Sequence, residues 1–165
     1  MIETTYLTVD KLKDFTPIVA SVDTTLLENW IPVAETMHIV PVLGDALDSA
    51  LKTELETYGT LTGNNATLLT YILNASAWYC FLEASSFIRT KFTNKSATQQ
   101  FSENSQVIEK EDFKSLRQEI LDKAMFFRNK LIDYLENNKS KFPLYRSDND
   151  CDNIGSKEYS AGIWL

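Results

Sequence analysis

Over residues 66–91 the chain is apolar almost all the way round a helix, with Leu68, Leu69, Ile72, Leu73, Trp78, Phe81, Leu82 and Phe87 leaving no broad polar stripe. Such a helix belongs at the centre of a bundle, covered on several sides. No other feature constrains the fold as strongly, because the remaining segments must supply that cover. The first 17 residues of this stretch, Ala66 to Leu82, carry no charge. They are shorter than the roughly 20 apolar residues a membrane span needs. Thr67, Thr70, Asn74 and Ser76 also interrupt them. A core helix is therefore expected, and no membrane partner.

The covering segments are amphipathic. Over residues 110–138, Phe113, Leu116, Ile120, Ala124, Phe127, Leu131 and Tyr134 recur every three or four positions. Glu109, Glu111 and Asp112 precede or open that helix, where its dipole favours negative charge. Asp23 and Thr24 start another, with Leu26, Leu27, Trp30, Ala34, Met37 and Val40 at helical spacing. Pro32 should bend it, and Pro41 with Gly44 should break it. A helix over 45–57 comes next, and a short one over 9–15 is capped by Thr8 and stopped at Pro17. YGTLTGNN, residues 58–65, is a turn by its glycine and asparagine content. The expectation is an all-α fold, a four- to five-helix bundle in residues 1–142. A chain of 165 residues is long enough to bury a core without disulfide or metal staples.

Two segments do not share the helical period. Residues 94–106 (NKSATQQFSENSQ) are polar with Phe101 as the single large hydrophobe, and read as a projecting loop or β-hairpin. Residues 143–165 (PLYRSDNDCDNIGSKEYSAGIWL) have neither helical nor strand period, hold six charged side chains and close on Ile163, Trp164 and Leu165. They read as an extended C-terminal tail. Burying side chains of that kind is worth roughly 1.5–3 kcal/mol each, so they are expected to dock, either on another molecule or back on their own domain.

Charge and residue types exclude several functions. Sixteen basic residues against 23 acidic ones leave a net charge of −7, which disfavours a dedicated nucleic-acid binder and an anionic membrane surface. His38 is the one histidine in the chain, which rules out a histidine metal cluster, and no serine or cysteine stands beside it as a nucleophile. Cys80 falls within the apolar helix and Cys151 in the polar tail, so no disulfide between them is expected. Asp148, Asp150 and Asp152 alternate like calcium-loop ligands, but Tyr159 stands where the closing glutamate should be. The five glycines form no phosphate-binding pattern. The first eleven residues, MIETTYLTVDK, lack the basic and apolar regions of a secretory leader. The residue chemistry points to no enzyme, no metal and no cofactor.

Taken in order, several segments resemble the head-to-tail connector proteins of tailed bacteriophages, the adaptor or ring proteins beneath the portal, closest to those of crAss-like and related Bacteroidetes phages. Ala34, His38, Ile39, Pro41, Leu43 and Gly44 match the run A-x-x-x-H/Y-I-x-P-x-L-G that precedes a second helix in those proteins. The helix through Trp78 and Tyr79 is similar to their central helix, and KFTNKSATQQFSENS to their hairpin, although Ser96 and Ala97 replace a frequent Gly-Val pair. YLENNKSKFPLY (134–145) is similar to their helix-ending Y-L-x-x-N…P-x-Y, and YSAGIWL to a terminal Y-x-x-G-I.

That resemblance implies a structural virion subunit, assembled in the host cytoplasm. It would form a homo-oligomeric ring, commonly of about twelve copies. Its partners would be the portal and neighbouring connector or tail proteins, with DNA only in transit. A ring requires two different surfaces of each subunit to meet. Asn94, Lys95, Ser96, Ala97, Thr98, Gln99, Gln100 and Phe101 in the projecting segment are the candidate donors, for instance by strand addition, together with Tyr159, Ile163, Trp164 and Leu165 in the tail. Two other readings remain open: a small acidic regulatory module that occupies a basic site on another protein, and a helical enzyme with a carboxylate metal site.

Overall fold

The computed structural model describes residues 4–18, 22–92, 97–99 and 110–145. Thr8 opens α1 (Val9–Phe15) by accepting the Lys11 N–H on its hydroxyl, and Asp10 adds negative charge to the first turn. The helix stops where the Thr16 hydroxyl donates back to the Leu12 carbonyl at 2.6 Å. Asp23 caps α2 (Thr24–Ala34) in the same manner, its carboxylate accepting the Thr25 N–H at 2.9 Å.

The helix expected to run through Val40 forms as one continuous helical path from Thr24 to Leu43, but its α ladder is interrupted by a π turn. After α2, which keeps Pro32 inside it, the ladder widens into a π-helical turn, Glu35–Ile39, where the Val40 N–H reaches back five residues to the Glu35 carbonyl. α3 (Val40–Leu43) then starts with Pro41 in its first turn, where a missing N–H costs nothing. The π turn inserts one residue and so rotates the next stretch of helix by about 100°. Met37, expected on the core face, is consequently 46% exposed, and Ile39 is fully buried. The break falls at Gly44, whose backbone (φ 78°, ψ 149°) is one that side chains resist.

α4 (Asp45–Tyr58) ends on Gly59 in the left-handed conformation (φ 70°), with the Gly59 N–H closing on Leu55. Its Glu54 carboxylate reaches forward to accept the Thr62 N–H at 2.9 Å and a bond from the Asn65 side chain. That links the end of α4 to the start of α5 (Gly63–Arg89). α5 is the apolar segment of residues 66–91, begun three residues early. It is central: α1, α2, the π turn and α6 (Lys110–Asn137) all pack against it. Ala75, Ala77 and Ala84 are fully buried along it, small enough to let neighbours approach closely.

Ile120, Ala124, Leu131 and Leu135 supply the buried stripe of α6. Leu116, expected in the core, lies at the edge of that stripe and is 41% exposed. Arg117 ties the two long helices together, donating to the Leu82 carbonyl at 3.2 Å and to the Ser85 and Ser86 hydroxyls at 3.2 and 2.7 Å. At the end of α5, β1 (Thr90–Phe92) pairs antiparallel with β2 (Ala97–Gln99), Lys91 opposite Thr98. Beyond α6 a 3₁₀ turn, Lys139–Lys141, brings Phe142 edge-on to Tyr134 at 5.9 Å, and the Tyr145 hydroxyl donates to Glu136 at 2.9 Å.

Candidate interaction surface

Among the expected interface residues, Ala97, Thr98 and Gln99 form β2, paired with the strand that continues α5. Asn94, Lys95, Ser96, Gln100, Phe101, Tyr159, Ile163, Trp164 and Leu165 lie outside the described residues.

The described bundle carries an apolar surface of its own. Tyr71 and Trp78 stand seven residues apart on α5, and Phe127 and Tyr134 seven apart on α6. Seven residues are two helical turns, so each pair lies on one face. The helices run antiparallel, and the pairs meet. Tyr71 stacks on Tyr134 with ring centroids 4.4 Å apart, and Trp78 lies nearly parallel to Phe127 at 6.4 Å. All four rings are half-buried. Packed against this ladder is Phe126, edge-on to Phe127 at 5.3 Å and itself 55% exposed, beside Met125 at 49%. Burying Phe126 on folding gains little where it stands, and residues of this size left open mark contact surfaces when they cluster.

Two lysines border the ladder. The Lys123 ammonium sits 5.5 Å from the Trp78 ring centre and the Lys130 ammonium 5.6 Å from that of Phe126. Both are cation–π arrangements that hold positive charge beside an apolar strip. Shallow depressions flank the strip, one lined by Glu119, Asp122, Lys123 and Phe126, the other reaching Tyr71, Lys130 and Tyr134. Sequence periodicity alone counted Phe127 and Tyr134 as core. The sevenfold spacing of rings on both long helices was the available signal for a ladder, but only the helix pairing showed that it lies at the edge of the core, half-buried against it.

The opposite flank of α5 holds polar groups. His38, on the π turn, stacks on Tyr79 at 4.0 Å and shares a 3.0 Å contact with the Glu83 carboxylate. That hydrogen bond, against the effect of burial, holds the Glu83 carboxyl below its ordinary range, with Arg117 a lesser contributor. The arrangement can hold one proton between an imidazole and a carboxylate. Sequence reading found no partner for His38 because Glu83 lies 45 residues away.

A second cluster escaped the sequence reading entirely. Glu35 is buried and accepts the backbone N–H groups of Tyr6 (3.0 and 3.2 Å) and Leu7 (2.9 Å). Burial pushes its carboxyl up to about 7, against those two hydrogen bonds. The Tyr6 hydroxyl donates to Asp48 at 2.7 Å, and Asp48 pairs with Lys52 at 3.1 Å. Burial, then Asp48, raises the Tyr6 phenol. These contacts strap the chain ahead of α1 to the π turn and α4. Cys80 is buried, which pushes its thiol up to about 12 and leaves it protonated and unreactive at neutral pH. Among the described residues no group of three or more histidine, cysteine or acidic side chains is placed to hold a metal ion, and no helix is long and apolar enough to cross a membrane.

Residues 39–154 match the sequence profile of a family of unknown function, DUF6712. The match starts at the last residue of the π turn and takes in α3 to α6. No curated protein and no solved structure matches the chain.

Proposed function

This chain belongs to the family of unknown function DUF6712, and from that premise we propose that it is a structural virion subunit. In this reading it forms one unit of an oligomeric ring in a bacteriophage head-to-tail connector, beneath the portal. The projecting segment about β1 and β2 and the tail beyond Tyr145 dock the subunit, and the ring leaves a channel for DNA. The observation that carries the reading is the aromatic ladder with the exposed Phe126 against it, and Met125 exposed on the adjoining face of α6. A helical bundle that leaves such a strip open on its longest helix has surface for another protein to cover. The ordered resemblance of 34–44, 91–105, 134–145 and 159–165 to phage connector proteins supplies the class of partner. The net charge of −7 suits a subunit beside which DNA slides without adhering.

Native mass spectrometry and negative-stain imaging of the pure protein, alone and with a portal protein, test this. A closed ring or a portal-bound assembly is expected. A strict monomer that ignores the portal overturns it. The same acidity favours one other reading, a regulatory module seated on a basic site. The two separate by salt: an apolar connector interface keeps its affinity in high salt, whereas charge-driven binding falls steeply.

A further inference from the structure

We propose that residues 4–8 form a releasable strap whose latch is the Glu35 carboxyl. It holds while that carboxyl carries its proton and opens once it ionises, with the helices still folded. The inference stands apart from the connector reading and does not need it.

The strap is attached through side chains. None of residues 4–8 lies in a helix or strand. Among the described residues, no backbone–backbone hydrogen bond joins residues 4–7 to the bundle. Instead Glu35 of the π turn accepts the Tyr6 and Leu7 N–H groups, Asp48 of α4 accepts the Tyr6 hydroxyl, and Glu56 of α4 accepts the Thr4 hydroxyl. All three acceptors are carboxyl groups. Tyr6 and Leu7 are buried, so the strap lies closed unless something opposes it. α1 begins directly after Thr8, its cap, and packs on α5, so the strap can swing there without disturbing that helix.

Both N–H donors converge on one oxygen of the latch. Glu35 Oε1 lies 3.0 Å from the Tyr6 nitrogen and 2.9 Å from that of Leu7, whereas Oε2 makes one longer contact of 3.2 Å, to Tyr6. Oε2 can therefore carry a proton while Oε1 keeps both bonds. The ionised form is less well served. Glu35 is 1% exposed, and it is faced by Asp48 and Lys52 from α4, Tyr6 from the strap and Cys80 from α5. His38, on the same turn, is engaged with Glu83. Lys52 already pairs with Asp48 at 3.1 Å and lies 5.7 Å from the Tyr6 ring centre. One ammonium thus serves two carboxylates, and the second buried negative charge is poorly matched. An open strap returns Glu35 to water and to the ordinary carboxylate value. The closed strap, in which burial pushes the carboxyl up to about 7, is fully favoured below pH 4.5 and loses ground as pH rises to about 7.

Native-state hydrogen exchange of the whole chain, read residue by residue by NMR, tests this. After division by intrinsic exchange rates, the Tyr6 and Leu7 amides should open about seventyfold more often at pH 8 than at pH 5. The Ile72 amide, in the middle of α5, should stay protected throughout. Glu35→Gln should keep the strap and flatten the rise, and Asp48→Asn, which leaves Lys52 to face Glu35 alone, should shrink it. The carbon-13 shift of the Glu35 carboxyl carbon in the unmodified protein gives a reading that needs no variant, and a midpoint near pH 7 is expected. A midpoint in the ordinary carboxylate range overturns the inference. So does Tyr6 and Leu7 opening that ignores pH, that rises equally in Glu35→Gln, or that matches Ile72 and so reports unfolding of the whole bundle.

Discussion

Glu35 shows how one buried carboxyl can tie stability to pH. Its folded-state pKa, about 7, lies above the ordinary carboxylate value of 4.5. Between those values the folded protein binds more protons than the unfolded chain, so stability is fully present below about pH 4.5 and declines as pH rises to about 7. The decline from this residue amounts to about 3 kcal/mol at most. Urea unfolding at pH 5 and pH 8 should show it, and Glu35→Gln should remove it while still accepting the Tyr6 and Leu7 N–H groups. Glu35→Ala should instead cost about 2–4 kcal/mol at pH 5, because two buried backbone donors lose their acceptor. Glu83 works in the opposite direction. Its pKa is lowered by His38, so its contribution is present above the ordinary carboxylate range and is lost as pH falls through the lowered value. His38→Ala removes both the hydrogen bond and the stack on Tyr79, and should cost about 1–2 kcal/mol at neutral pH by thermal denaturation.

For whole elements, local signals worked where the determinant is a few residues away. Thr8 and Asp23 were legible as caps because capping is a contact across two or three residues. The bounds of α1, α4 and α6 agree with the expected spans to within a residue. The π turn was not legible. Its widened ladder joins Pro41, which cannot continue the strict pattern, to a Glu35 whose carboxylate is engaged by residues 6 and 7. A periodicity count assumes 3.6 residues per turn and so put Met37 inside. Gly44 separates α3 from α4 with open space around the position a Cβ would take. Gly44→Ala should therefore cost about 1–3 kcal/mol from backbone strain alone, measurable by urea denaturation without any change in the helical spectrum.

The bundle is organised around α5, and the sequence alone required that, since a helix apolar on nearly every side has no stable place except the middle. The all-α class was likewise readable from residue types and their spacing. Deleting residues 162–165 tests the whole-molecule reading. It should move the melting temperature by less than about 2 °C and abolish self-association in native mass spectrometry. A substantial fall in melting temperature would instead assign those residues to their own core. Three-dimensional packing alone decided which apolar residues remain on the outside. Leu116, Met125 and Phe126 all sit in a helix with regular hydrophobic spacing, and the direction each faces depends on how α6 is rotated against α5. The spacing of side chains is local and is written in order along the chain. The rotation of one helix on another is settled by many contacts between distant residues, as are the pairing of His38 with Glu83 and of Glu35 with Tyr6, and no short stretch of sequence contains it.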